Sequence, residues 1–228
     1  MVHISYNKRM NYKSRKYNIN EEFFKCINTE QKAYVLGYLY ADGCVTPPYI
    51  FSMASKDKQL LKDILGVLES FHPITKPNKG VYTVTVGSKQ MVTDLEQHGC
   101  IHRKSWKELH IPHLEPNLIH HFIRGYFDGD GGVRIGNKNN LRIKFVGCKS
   151  LITEIEQTIY TDVGLKHQKI AQHSSIYRVC YSGNHNGRKL RRYLYKDATI
   201  YVDRKKIIFY SVHPKYKDRR RNKRTTLL

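Results

Sequence analysis

Hydrophobic and polar positions along the chain switch repeatedly between helical and strand spacing. Asn20 to Phe24 reads as a capped helical turn, with Asn20 at its start. Apolar and small residues then fill successive helical turns from Ala33 to Ala41, with Thr29 as the N-cap. After Gly43, Val45-Thr46 and Tyr49 to Ser55 read as two strands bent at Pro47-Pro48. Lys56 to Glu69 is amphipathic, with Leu60, Leu61, Ile64, Leu65 and Leu68 on one face. Pro73 to Gly80 reads as loop, Val81 to Val86 as an alternating strand and Ser88 to His98 as a short helix. The second half repeats this order. A helix is predicted over 117–129, a hairpin from Val133–Ile135 and Leu141–Gly147 around Asn137 to Asn140, an amphipathic helix over Lys149–Tyr160, a strand over Ile176–Ser182 and a basic helix over Gly187–Tyr195. The fold class expected is α+β, with two αββαββα halves related by a pseudo-two-fold axis and each antiparallel sheet backed by helices on one face.

The repeat is sharpest in two stretches. Aligned on each other, Gly37 falls on Gly125, Tyr38 on Tyr126, Asp42 on Asp130 and Gly43 on Gly131, a constant offset of 88 residues (Asp42 to Asp130). Gly43 and the Gly131-Gly132 pair are read as helix stops that supply backbone freedom. An aspartate just before such a stop lies at the negative end of the helix dipole, which costs a few tenths to about 1 kcal/mol. Its occurrence at the same place in both copies argues for a bound cation that offsets the cost. The comparison also separates two carboxylates, because Asp128 aligns with Tyr40 whereas Asp130 aligns with Asp42. Asp128 is therefore secondary. The halves are expected at 20–100 and 117–213, joined by a linker over 101–116, with a flexible basic arm over 1–19 and a basic tail over 214–228.

Charge narrows the partner. Lys plus Arg is 40 and Asp plus Glu is 19, a net charge of +21, which points to a polyanion such as nucleic acid. No apolar run is long enough to span a bilayer, and the N-terminus has no signal-peptide core, so the expected location is intracellular. Five scattered cysteines (Cys26, Cys44, Cys100, Cys148, Cys180) read as free thiols in a reducing compartment. His110 with His113, and His120 with His121, lack partners at zinc-site spacing and read as structural or phosphate-contacting.

The copies Val-Leu-Gly-Tyr-Leu-Tyr-Ala-Asp-Gly (35–43) and Ile-Arg-Gly-Tyr-Phe-Asp-Gly-Asp-Gly (123–131) resemble the paired signature of LAGLIDADG homing endonucleases. The resemblance covers roughly residues 20 to 212 and departs from the name-giving pattern at Tyr40, where an acid is often found. It implies that the two motif helices pack side by side, with Gly37, Gly125, Ala41 and Gly129 permitting close approach. It implies further that Asp42 and Asp130 converge to hold Mg²⁺, with Mn²⁺ as a substitute and Ala41 and Gly129 as candidate backbone contributors. The implied activity is site-specific double-strand cleavage of DNA by a monomer, leaving short 3′ overhangs and promoting mobility of an intron or similar element. Two rivals share the scaffold: an RNA-binding maturase that assists intron splicing, and a non-enzymatic DNA-binding regulator.

Lys56 and Lys149, aligned at strand-to-helix junctions, are candidates for stabilising transition-state charge; the competing reading is that each opens an exposed helix and contacts a phosphate. Lys104 and Lys205 are next in order. DNA reading should fall to strand faces, because a two-stranded ribbon fits the major groove. Alternation turns Arg134, Lys138, Arg142, Lys144 and Arg178 outward in the second half, and Ser52, Thr83 and Thr85 in the first. The more neutral first-half face predicts a long, non-palindromic target. The basic run from Lys215 to Arg224 is expected to add affinity without sequence preference.

Overall fold

The computed structural model describes residues 16–102 and 108–212. Lys104, most of the N-terminal arm and the basic tail lie outside the described residues. Each half follows the order helix, two strands, helix, two strands, helix. The first comprises α1 (Glu30–Asp42), β1 (Gly43–Thr46), β2 (Ile50–Ser55), α2 (Lys58–Val67), β3 (Thr75–Asn78), β4 (Val81–Gly87) and α3 (Lys89–Gln97). The second comprises α4 (Pro116–Asp130), β5 (Gly132–Gly136), β6 (Asn140–Gly147), α5 (Lys149–Val163), β7 (Ala171–His173), β8 (Ile176–Ser182) and α6 (Asn184–Tyr195), and α7 (Asp203–Ser211) follows it. The sheets are antiparallel with matching orders, β1-β2-β4-β3 and β5-β6-β8-β7.

Local chemistry accounts for most boundaries. The Thr29 side chain accepts from the Lys32 amide at the start of α1, Asp57 accepts from Gln59 and Leu60 at α2, and Ser88 accepts from Met91 at α3. Helix α2 therefore begins after Asp57, later than the apolar period alone places it. Thr75–Asn78, read from sequence as loop, forms the edge strand β3, and β7 is a second short edge strand. Both are too short and too polar to show strand alternation, and pairing with β4 and β8 defines them.

The halves meet along α1 and α4. Gly37 and Gly125 let the two backbones touch: a methyl at Gly37 would lie 2.8 Å from the carbonyl carbon of Phe122, and one at Gly125 would lie 2.8 Å from the Tyr38 amide nitrogen. Flanking this contact, the Tyr40 ring packs edge-on against Phe122 at 5.0 Å, and the pseudo-symmetric pair is a hydrogen bond from Tyr34 to Asp128 at 2.8 Å.

The helix stops fall at Gly43 and Gly131, as the sequence places them. Gly43 (φ −90°) and Gly131 (φ −80°) are extended. Glycine is needed there because the chain folds back tightly, and a methyl would lie 2.5 Å from the Leu39 oxygen at Gly43 or the Phe127 oxygen at Gly131.

Candidate active site and nucleic-acid interface

The last turns of α1 and α4 carry no basic residue, and both end on an exposed aspartate, Asp42 and Asp130. The helix contact brings these ends together. A methyl at Gly129 would meet the Ala41 side chain and lie 3.3 Å from Asp42 Oδ2, so the Asp42 carboxylate lies beside the backbone that leads into Asp130. The surroundings match across the pseudo-axis. The Tyr38 hydroxyl donates to the Ala54 oxygen at 2.6 Å, and Tyr126 donates to the Val146 oxygen at 2.6 Å. Burial raises both phenols, and the neighbouring carboxylates, Asp42 at Tyr38 and Asp130 at Tyr126, act in the same direction.

Lys205 sits behind this pair. Its ammonium donates to the carbonyl oxygens of Phe127 (2.6 Å), Asp128 (2.8 Å) and Gly131 (2.7 Å), using all three protons on the end of α4, where the Phe127 oxygen also accepts the Gly131 amide. Burial pulls the ammonium down to about 8, while Asp128, Asp42 and Asp130 pull it up and Arg204 pulls it down. The fields of both terminal aspartates thus reach one buried cation. The sequence gives little notice of this role, since Asp203-Arg204-Lys205-Lys206 reads as a solvated charge run.

Asp128 has a different task. Its side chain is buried and accepts from the Tyr34 hydroxyl and from the Val202 amide, each at 2.8 Å. Burial pushes its carboxyl up to about 6, against the Lys205 ammonium, the Val202 amide and the Tyr34 hydroxyl. It ties α4 to α1 and to the entry of α7.

A second buried polar cluster lies near the start of α1. Arg124 is fully enclosed and ion-pairs with Glu30; it also donates to the Leu194 and Ile200 oxygens at 3.1 Å and to His121 Nδ1 at 2.6 Å. His121 is driven down to about 3, first by burial and then by Arg124, so it stays neutral and accepts. This agrees with a structural histidine. The signal for the cluster is an arginine inside an otherwise apolar helical run; its partner Glu30 could not be named without the fold.

Lys56 and Lys149 are both exposed, but they are not equivalent. Tyr38 and Tyr126 match Ala54 with Val146, an offset of 92 (54 to 146), which puts Cys148 at the place of Lys56. Lys149 is the first residue of α5. Lys56 instead lines an open cleft of about 690 Å³ with Lys58, Lys62, Tyr82 and Arg204, between the first half and α7.

The sheet faces divide as alternation predicts. Leu141, Ile143, Phe145, Val179 and Tyr181 are buried, whereas Arg134, Arg142, Lys144 and Arg178 are exposed on the other face and border a groove of about 440 Å³. Ile135 holds a core-side phase but is 45 % exposed at the strand end. Lys138 stands at the hairpin tip in left-handed backbone (φ 60°). In the first sheet Ser52 lies opposite Thr85 and Ala54 opposite Thr83, so the three hydroxyl candidates share one face. Among the described residues no helix is long and apolar enough to cross a membrane.

No protein-family model matches the chain, and no curated protein sequence matches it. Solved structures do. The LAGLIDADG meganuclease I-AabMI bound to uncleaved DNA superposes with a TM-score of 0.54 at 14% identity, over 81% of this chain and 90% of that one. The I-LtrWI LAGLIDADG homing endonuclease bound to target DNA gives 0.52 at 12% identity, over 84% and 91%. The I-SmaMI LAGLIDADG homing endonuclease bound to cleaved DNA gives 0.51 at 13% identity, over 79% and 86%. The fold is that of the LAGLIDADG homing endonucleases.

Proposed function

We propose that this chain is a site-specific DNA endonuclease of the LAGLIDADG type that hydrolyses phosphodiester bonds with Mg²⁺, Mn²⁺ serving as a substitute, and that it acts as a monomer on an asymmetric duplex target to promote mobility of its own coding element. The observation that supports this reading is the approach of the Asp42 carboxylate to the backbone leading into Asp130, at the ends of α1 and α4, each of which runs into the first strand of a sheet. The structural neighbours that share this fold are homing endonucleases held on DNA.

The donor set suits a hard divalent cation. Two carboxylates at helix ends supply the oxygen ligands such an ion takes, the rest of its shell being left to water and phosphate oxygens; among the described residues no cluster of three or more His, Cys, Asp or Glu forms. Asp42 and Asp130 would hold the metal, with Ala41 and Gly129 the nearest backbone. When bound, the metal supplies Lewis acidity that activates water and neutralises the leaving 3′ oxygen.

The remaining work belongs to the chain. Tyr38 and Tyr126 anchor the helix ends to β2 and β6, which fixes where the carboxylates stand. Lys205 is a positioning residue: it clamps the end of α4 and supplies positive potential from behind. Lys56 and Arg204, in the basic cleft, are the groups best suited to receive a backbone phosphate, while Lys149, exposed at the first position of α5, is a phosphate contact of the second half without being the counterpart of Lys56.

The test is cleavage of a library of candidate intronless insertion sites, with Mg²⁺, with EDTA, and with Asp42→Asn and Asp130→Asn. A discrete double-strand break lost in all three controls, with duplex binding retained by both variants, is the expected outcome. Tight binding to a site within the library without a cut would overturn the nuclease reading.

A further inference from the structure

The matched sheet orders allow the two exposed faces to be compared position by position. In the first sheet, cross-strand rows run Ala54–Thr83, then Cys44–Ser52–Thr85, then Thr46–Ile50–Gly87, moving away from Asp42. In the second they run Val146–Arg178, then Gly132–Lys144–Cys180, then Arg134–Arg142–Ser182, moving away from Asp130. Each cation of the second face therefore has an uncharged counterpart in the first: Arg178 with Thr83, Lys144 with Ser52, Arg134 with Thr46 and Arg142 with Ile50. The difference is confined to the side chains, because the backbone pairing is the same.

Three features show that the cationic face is built for a ligand. Arg134 and Arg142 lie directly opposite each other, a like-charge pair that destabilises a sheet by itself. Among the described residues no carboxylate pairs with Arg134, Arg142, Lys144 or Arg178. Glycines on β5 seat the long side chains, since a methyl at Gly136 would lie 2.9 Å from Arg142 Nε and one at Gly132 would lie 2.9 Å from Lys144 Cε. A stem laid against a glycine loses rotamer freedom before binding, so it aims its head group at lower cost.

Base chemistry then separates the halves. Arg and Lys pair with the O6 and N7 acceptors of guanine, while apolar groups and threonine methyls contact the thymine methyl. Alternate strand residues are about 6.8 Å apart, close to two base-pair steps of roughly 3.4 Å each. Resting on the DNA-binding reading above, we infer that the target is chemically polarised: the half-site under β5, β6 and β8 carries guanines at intervals of about two base pairs, read by Arg178, Lys144 and the Arg134–Arg142 pair. The half-site under β1, β2 and β4 is A·T-rich and is read by Thr46, Ile50, Ala54, Thr83 and Thr85 without charge.

Binding selection tests this independently of cleavage. The full chain, in EDTA, is used to select from a randomised duplex library, and the bound pool is sequenced for wild type, Arg142→Ala and Ile50→Arg. The inference requires guanine enrichment in one half only. It also requires that Arg142→Ala lower the preference at one guanine position about ten-fold while the others persist, and that Ile50→Arg create a new guanine preference in the A·T half. Equal guanine content in both halves, or an Arg142→Ala profile unchanged in shape and only weaker overall, would overturn it, the latter because Arg142 would then be a phosphate contact. Selected duplexes are afterwards offered with Mg²⁺. Binding with a polarised profile but no cut counts against the nuclease reading and leaves this one standing.

Discussion

Gly37→Ala and Gly66→Ala are the same chemical change with opposite expected signs. At Gly37 the new methyl would stand 2.8 Å from the Phe122 carbonyl carbon and 3.0 Å from the Tyr126 amide nitrogen, both backbone atoms of α4. The Phe122 carbonyl oxygen stands closer still, and ordinary contact begins near 3.4 Å, so α1 and α4 must separate by more than the 3.4 − 2.8 = 0.6 Å that the carbonyl carbon alone requires. No flexible side chain can absorb the clash. Overpacking of this kind costs about 1–3 kcal/mol, and the top of that range fits a contact with two rigid helices. For a chain of this size each kcal/mol moves Tm by about 2–4 °C, so a loss of roughly 6–12 °C is expected. Gly66 lies inside α2, and among the described residues nothing stands within 4 Å of an added methyl. Alanine there removes unfolded-chain entropy and should stabilise by about 0.5–1 kcal/mol. Differential scanning calorimetry of wild type and both variants checks the pair. A Gly37→Ala transition at or above that of wild type would refute the close helix packing from which the site is built.

Three further predictions test the buried polar groups and the tail. Arg124→Met leaves Glu30 partly buried without its ion pair and should cost about 3–5 kcal/mol in urea denaturation; adding Glu30→Gln should recover a good part of it, and simple additivity of the two losses would argue against the pair. Burial raises the Asp128 carboxyl to about 6, so the folded protein holds a proton that the unfolded chain releases near pH 4. Its contribution to stability is therefore present at lower pH and lost as pH rises to about 6; Asp128→Asn should flatten that slope while leaving cleavage intact, and an unchanged slope would assign the titration elsewhere. Truncation after Pro214 removes the whole basic run from Lys215 to Arg224 and should reduce the dependence of duplex affinity on salt concentration without altering sequence preference.

The basic cleft at Lys56 and Arg204 shows how tertiary placement revises a sequence alignment. Lys56 and Lys149 align as residues because both follow a strand and precede a helix. The chain enters α2 through an extra residue, Asp57, used as the cap, whereas α5 begins directly after Cys148. One residue of difference in a junction changes which side chain stands at a given point. Residue type then follows burial: Tyr40 and Asp128 occupy one repeat position, and each is enclosed, by Phe122 and the His98 carbonyl in one half and by Tyr34 and Val202 in the other.

The repeat, the α+β class and the recurrence of Asp42 and Asp130 are legible along the chain, because they are written in local periods and in residue identities at a fixed offset. Strand alternation likewise settled which face carries Arg134, Arg142, Lys144 and Arg178, since that pattern needs only neighbours along the chain. Tertiary structure alone decided what depends on contacts between distant segments. Edge strands β3 and β7 exist through their pairing, without a pattern of their own. Arg124 finds Glu30 across the two halves, and Lys205 reaches the end of α4 from a helix that looks solvated in sequence. The convergence of the two aspartates belongs to this second kind, because it is set by backbone contact at Gly37 and Gly125.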